Sequence, residues 1–365
     1  MIMEEVRHLY MPDGKVNPEI ADRKIIIWGC GDRGKGLLKH FSDIGGEIEC
    51  FCDTNYDGLG GSFCGKQVIA PESLAEYIGR NIVVTFTFWP QILHYIPSDK
   101  DVCMYANYPY WTNSGDRCVL CGSTRTVSCE ARFVEFLDDR MFNMNPPVTR
   151  WVHCEDCEFS FSSYRPDDEE MSRFYMDYRG EGYNRQRMKY EPDYSDEAMF
   201  GEESIRYRRS LTSNFIGSAI GSAGSYRNVL DYGGDKGQFI PELFEDTSRY
   251  VYDISGKETV SGVKRLESLE EAASHDWDII MNCCTLEHVS YPDEILDTIV
   301  SMMGRDTLFY LELPCECYGM NVSVHEHINE FTHQTLKTIG DRFSLEILEI
   351  GDIGTFGIAA LYRKR

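Results

Sequence analysis

Two cysteine pairs constrain this chain more than any other feature. Cys118 and Cys121 form one C-x-x-C, followed by Gly122, and Cys154 and Cys157 form a second. Two such knuckles roughly thirty residues apart can supply four thiolates to a tetrahedral Zn²⁺. Four protein ligands leave no open coordination position, so such a metal holds a fold together and performs no chemistry. The separation leaves room for a hairpin between the knuckles, and Cys129 within it reads as an ordinary thiol. The chain has 14 cysteines in all. In a reducing compartment that number argues for metal sites and buried thiols over disulfides.

The rest of the chain is organised around this module. Its 365 residues are too many for one ordinary core, and two or three domains are expected. Residues 1–112 alternate strands and helices: "RKIIIWGCGDRGKGLLKHF", "GEIECFCDTN", "KQVIAPESLAEY" with a helix starting near Pro71, and "NIVVTFTFW". Such alternation implies a small parallel sheet. Residues 113–200 hold the cysteine pairs and then the tract "RFYMDYRGEGYNRQRMKYEPDY". Residues 201–365 return to strand and helix alternation, with "NVLDY", "YVYDI", "WDIIMNC", "TLFYLEL" and "GIAALYRK" as strands. The fold class is therefore α/β, with two sheet domains flanking a small zinc-binding module.

The formal charge of −24 repels phosphate backbones and argues against nucleic acid as a partner. A small anion in a local basic pocket stays compatible with it. No apolar run is long enough to span a bilayer, and "MIMEEVRHLYMPDGK" lacks the pattern of a signal peptide. The expectation is a soluble, cytoplasmic protein. Nothing in the sequence speaks to its oligomeric state.

The chemistry centres on "NVLDYGGDKGQF", residues 228–239. A strand followed by Gly233-Gly234-x-x-Gly237 brings bare backbone N–H groups up to a ligand. Asp231 precedes the turn. Asp253, at the end of the next strand, is placed to accept hydrogen bonds from both hydroxyls of a ribose. Alone, this pattern fits NAD or S-adenosylmethionine (SAM).

With "DWDIIMNCCTLEHVSYPDEIL" and "TLFYLELP" in order behind it, residues 201–365 resemble the class I SAM-dependent methyltransferases, a doubly wound α/β fold. "VLDYGGDKGQF" looks like their first motif, and "LEHV" with Pro292 like their motif after the fourth strand. The resemblance implies that Asp231, Gly233, Gly234, Gly237, Asp253, Cys283, Leu286 and His288 line the cofactor. One departure is that Asp235 stands where the family has its middle glycine. An acid there suits a sulfonium or faces solvent.

Methyl transfer is an in-line displacement in which a base removes the acceptor's proton. Histidine titrates nearest neutral pH, and "VHEHINEF" offers His325 and His327. A cysteine module before a SAM domain bearing H-E-H is similar to bacterial sugar methyltransferases, including those that methylate carbon on nucleotide-linked keto-deoxysugars. That resemblance implies a sugar or nucleotide-sugar acceptor. It places Glu326 and His327 at the acceptor, His327 as base, and lines the site with Tyr175, Tyr178 and Tyr183. Arg179 and Arg187 are then able to grip a phosphate. The group has Tyr where this chain has Val324, which leaves O-methylation as open as C-methylation.

In the first domain, "GCGDRGKG" at 29–36 opens a helix after a strand, and Asp53 ends the next strand. A helix N-terminus with bare glycines favours an anion such as pyrophosphate. The segment resembles the small Rossmann-like domains of sugar-modifying enzymes, and implies a nucleotide or nucleotide-sugar site or a scaffold. Two other functions stay open: an NAD-dependent sugar oxidoreductase using this domain, and a non-catalytic nucleotide-binding scaffold.

Overall fold

Runs such as "IIIW" and "NIVV" have no polar face to offer water, so they form strands covered on both sides. The computed structural model describes residues 6–77, 79–85, 89–96, 102–192, 194–195, 201–220, 226–315, 323–354 and 357–365, with only the backbone described at 89–91. Two compact units meet between Tyr110 and Trp111.

The first unit contains β1 (Val6–His8), β2 (Ile25–Trp28), α1 (Asp32–Asp43), β3 (Ile48–Cys52), β4 (Ser62–Phe63), β5 (Lys66–Ile69), β6 (Asn81–Val84) and β7 (Cys103–Ala106). They form one sheet in the order β1-β7-β6-β2-β3-β5-β4. All neighbours are parallel except β4 with β5. Every residue of β2 and β6 is buried. The helix expected near Pro71 is a short 3-10 turn, Pro71–Glu76. The strand expected over 81–89 ends at Val84; residues 86–88 lie outside the described ones.

The second unit opens with β8 (Thr112–Asn113), β9 (Thr126–Phe133), α2 (Glu135–Arg140), β10 (Thr149–Cys154), β11 (Ser160–Ser162), α3 (Asp168–Tyr175) and α4 (Glu181–Arg187). It continues with α5 (Glu202–Ile220), β12 (Asn228–Tyr232), β13 (Ser248–Tyr252), β14 (Val263–Arg265), α6 (Leu269–Ala273), β15 (Ile279–Cys283), α7 (Pro292–Met302) and β16 (Leu308–Pro314). It closes with β17 (Ser323–Val324), β18 (Asn329–Glu330), α8 (His333–Arg342), β19 (Leu345–Ile353) and β20 (Gly357–Lys364).

Its large sheet runs β14-β13-β12-β15-β16-β20-β19. The first five strands are parallel, and β20 runs antiparallel to both of its neighbours, β16 and β19. The strand order reverses beside β12, between β13 and β15. In open α/β sheets that is where ligands bind, outside the carboxyl ends of the strands. The second sheet runs β17-β9-β10-β11-β18, with β8 on β9. Strands β17 and β18 thus leave the large sheet's sequence region and pair with the cysteine-bearing hairpin. Among the described residues, no helix is long and apolar enough to cross a membrane.

Candidate functional site

The four knuckle cysteines converge. Cys118 Sγ lies 3.7 Å from Cys157 Sγ, and Cys121 Sγ lies 3.6 Å from Cys154 Sγ. A tetrahedron with bonds of ~2.3 Å has edges of about 3.8 Å, so the cluster could hold Zn²⁺ without rearrangement. Gly122, at φ +78°, turns the first knuckle, and its N–H donates to the Cys118 carbonyl at 2.9 Å. The cysteines are built into the core shared with Phe159, Leu286 and Leu336. Thr335 Oγ1 donates to the Cys157 carbonyl at 2.9 Å.

At the carboxyl end of β12 the chain turns through Gly233 and Gly237, at φ +76° and +73°. A Cβ on Gly234 would sit 2.1 Å from the Asp231 carboxylate, so nothing larger than glycine fits there. Asp253 organises the turn. It accepts the Asp235 N–H at 2.9 Å and the Ser255 N–H at 2.7 Å. Each carboxylate oxygen keeps a second lone pair for a ligand hydroxyl. The Asp235 carboxylate pairs with Lys257 Nζ at 2.9 Å.

Asp231 is 1% exposed, and neither of its carboxylate oxygens has a hydrogen-bond partner. Burial, reinforced by the Asp253 charge, pushes its carboxyl up to about 7. An orphaned buried acid is costly unless a cation arrives. The residues therefore fit SAM, a cationic ligand carrying a ribose.

Beside it lies a charged group that the sequence reading missed. Arg208 on α5 donates to Glu312 Oε1 at 3.0 Å and to Cys284 Sγ at 3.3 Å, and stacks 4.1 Å from the Phe239 ring centroid. Thr212 and Tyr310 donate to Glu312 Oε2 at 3.2 and 2.8 Å. The signal was present: Glu312 is an acid inside the apolar strand "TLFYLELP", and Arg208 and Thr212 share a helix face at i, i+4.

The acceptor candidates gather where β15 and the loop between β17 and β18 meet. Ile328 and Asn329 donate their N–H groups to the Glu287 carbonyl at 2.9 and 3.1 Å. Arg165 staples the region, donating to the carbonyls of Ser162, Val289, Ser290 and Ile328 and to Asn329 Oδ1. Glu326 is half-buried. Arg187 Nη1 donates to it at 3.1 Å and the Tyr183 hydroxyl at 3.4 Å. Burial alone would raise the Glu326 carboxyl, but positive charge around it, that of the paired Arg187 guanidinium included, holds it below the usual carboxylate range.

His288, which the sequence reading set beside the cofactor, faces the acceptor candidates. Its Nδ1 is 3.1 Å from the Glu326 carbonyl, and its ring centroid is 4.6 Å from that of His327. Burial, then the neighbouring His327, lowers its titration to about 3, so it is neutral at neutral pH. His327 is half-buried and His325 exposed.

Tyr178 packs against Tyr175 and Tyr183 at 5.0 and 5.1 Å, and Tyr175 reaches His288 edge-on at 6.5 Å. Burial raises all three phenols, which stay protonated. The turn presenting Tyr178 is strained, with Asp177 and Arg179 at φ +52° and +59°. Arg187 is unsuited to a phosphate, because it already serves Glu191 and Glu326. Cys283 closes β15 at the switch point, whereas Leu286 is fully buried in the core.

With this geometry in place, the chain can be compared with known proteins. Residues 204–350 match the family described as methyltransferase domain. This segment, less than half of the chain, is thus similar to a methyltransferase domain. No curated protein matches the chain. Solved structures with similarity to it include human N-acetylserotonin methyltransferase in complex with SAM: 14% identity, 55% of this chain and 60% of that one, TM-score 0.39. LepI in complex with SAM gives 13% identity over 41% of this chain and 46% of that one, TM-score 0.32. Magnesium protoporphyrin IX methyltransferase from Synechocystis PCC 6803 with bound SAH gives 12% over 52% and 97%, TM-score 0.36. The matched part thus spans about half of the LepI chain. The match begins within α5 and ends within β19, so the cysteine pairs lie outside it and His325, Glu326 and His327 inside it.

Proposed function

We propose that this chain transfers a methyl group from SAM to oxygen or carbon of a sugar or nucleotide-sugar acceptor, in polysaccharide or secondary-metabolite biosynthesis. The observation that carries the reading is the buried, unpartnered Asp231 carboxylate beneath a glycine turn, with the Glu326–His327 loop beside the same strand ends. SAM would supply an electrophilic methyl on a sulfonium. Asp253 would take the ribose hydroxyls, and Gly233, Gly234 and Gly237 would admit the backbone. Tyr175, Tyr178 and Tyr183 offer aromatic faces and hydroxyl donors, the combination a polyhydroxylated ring uses. The ionised Glu326 orients an acceptor hydroxyl, and His327 is the candidate base. The cysteine cluster takes Zn²⁺ and holds the sheet from which the acceptor loop hangs.

We read residues 1–112 as a Rossmann-like nucleotide or nucleotide-sugar unit, 113–200 as the zinc module with the acceptor-site tyrosines, and 201–365 as the methyltransferase domain. The test is to incubate the zinc-loaded protein with SAM and a panel of nucleotide sugars, and to follow SAH release and acceptor mass. One sugar should gain a CH₂ increment. His327→Ala should cut that turnover ~10²–10⁴-fold while SAH still binds. No heat on titrating SAM or SAH would defeat the reading.

A further inference from the structure

Three metal-ligating side chains meet at the acceptor face. One ligand atom each from Glu287, His288 and His327 lies within 4.8 Å of the others. We propose that these residues bind a divalent first-row metal ion, a site separate from the cysteine cluster. In it the ion's free positions face the acceptor.

The hydrogen bonds around His288 carry the assignment. Its Nδ1 faces the Glu326 carbonyl at 3.1 Å. A carbonyl only accepts, so Nδ1 carries the hydrogen and Nε2 presents a lone pair. That lone pair faces Glu287 Oε1 at 3.7 Å. Their ligand atoms and that of His327 lie within 4.8 Å of one another, a spacing that ligands about one ion adopt. His327 brings the third donor from a different loop. An oriented imidazole whose other nitrogen donates to a carbonyl is the usual arrangement of a metal-bound histidine.

The ligands are also fixed relative to one another. The Glu287 carbonyl accepts the N–H groups of Ile328 and Asn329, and Asn329 Nδ2 donates to the carbonyls of Leu286 and Val289 at 2.7 and 2.8 Å. The backbone either side of His288 is thus bolted to the backbone following His327. Two histidines and one carboxylate form a set that leaves positions open for substrate. Thiolates are absent from it, so it also accepts harder first-row ions such as Mn²⁺, which the four cysteines bind poorly.

This assignment rests on the methyl-transfer reading for its purpose and changes one part in it. His327 becomes a ligand, and the ion's charge lowers the proton affinity of an acceptor hydroxyl. That proton leaves to solvent. The oxygen lone pair then forms the new O–CH₃ bond, while the S–CH₃ bonding pair stays on sulfur. SAM is the only co-reactant needed.

The test uses the full chain with zinc in its cysteine site. Mn²⁺ is titrated in and its free fraction followed by electron paramagnetic resonance, because Mn²⁺ is a poor ion for thiolates. One saturable equivalent is expected on the wild type. Glu287→Gln, His288→Gln and His327→Gln should each weaken it at least ~10-fold. A wild type with no saturable Mn²⁺ overturns the assignment without reference to any variant. So do variants that bind Mn²⁺ as the wild type does. SAH calorimetry on the same samples reports the methyltransferase reading separately: SAH heat without Mn²⁺ binding sinks the metal site alone.

Discussion

The chain builds the same strand–turn–acid device twice, once in each unit, and the two copies differ in what is buried beneath them. In the first, Asp53 accepts the Cys30 N–H at 2.8 Å and the Asn55 N–H at 2.9 Å. In the second, Asp253 accepts the Asp235 N–H and the Ser255 N–H at 2.9 and 2.7 Å. A threonine closes each turn: a Cβ on Gly29 would lie 2.0 Å from Thr85 Oγ1, and one on Gly233 2.6 Å from Thr285 Oγ1. Aligned on those glycines, Ile27 stands where the second copy has Asp231. Both are buried. The shared acid organises the turn in either setting, so it does not by itself mark a ribose site. The charge beneath the turn, Asp231 with Arg208 and Glu312 nearby, is what suits the second copy to a cationic cofactor.

The largest effect should come from filling the glycine over that charge. Gly234→Val drives a side chain into the Asp231 carboxylate, and SAH affinity should fall by ~100-fold or more in calorimetry. Gly29→Val should lower the melting temperature of the first unit by several degrees and leave SAH affinity intact. Equal losses from both would mean that the two turns do not act independently.

Next in size is the proposed zinc at the cysteine cluster; among the described residues no such cluster accompanies the first copy. Strands β17 and β18 flank His325, Glu326 and His327 and, among the described residues, pair with the cysteine-bearing sheet. Stripping the thiolate-bound ion should cut methyl transfer ~100-fold through misplacement of that loop. SAH affinity should change less than ~10-fold. A parallel collapse of both would show that the cysteines support the whole domain and not the loop in particular.

Asp231 gives a smaller effect with a defined sign. Its carboxyl is pushed up to about 7, so in the unliganded fold its ionisation opposes stability as pH rises from the ordinary carboxylate range toward 7. A cationic ligand prefers the ionised form. SAM affinity should therefore rise with pH through about 7, while the unliganded protein gains stability as pH falls across the same window. Asp231→Asn should flatten the SAM profile, weaken binding about 10-fold, and raise the unliganded melting temperature by a few degrees. Ile27→Asp, the reverse change in the first copy, should destabilise that unit without creating a SAM site. Retention of the pH profile in Asp231→Asn would assign it to another group.

How much of this could be read from the sequence divides along the same line. Local signals were legible: the strands at Asn228–Tyr232 and Gly357–Lys364, the glycine turn, and cysteines whose spacing implied convergence. Long-range pairing was not. Nothing in "VHEHINEF" shows that its flanks add strands to the cysteine-bearing sheet, because two-residue strands carry no periodicity. Strands β14 and β19 escaped for a related reason. The first is three residues long, and the second, "LEILEIGDI", mixes acids into an exposed edge. His288 was set beside the cofactor because its motif follows a strand of the cofactor sheet. Only the fold shows that the loop carrying His327 comes back to meet it.

The smallest expected effect concerns Asp235, where the chain departs from the resembling family. It holds φ +54° without being glycine, which strains the backbone by about 1 kcal/mol. Its carboxylate pairs with Lys257 Nζ at 2.9 Å, with both side chains about a quarter exposed. That pair is therefore worth under about 1 kcal/mol after solvent screening. Asp235→Gly relieves the strain, loses the pair and adds chain entropy to the unfolded state, terms of similar size and mixed sign. Stability should move by less than about 1 kcal/mol in denaturant melts, and turnover by less than ~3-fold. An acid directed at the sulfonium would behave differently, since losing a buried charge partner costs ~10²-fold or more. A loss on that scale would mean that the carboxylate leaves Lys257 when SAM binds. The second copy would then owe its cation preference to the turn itself as well as to the residue beneath it.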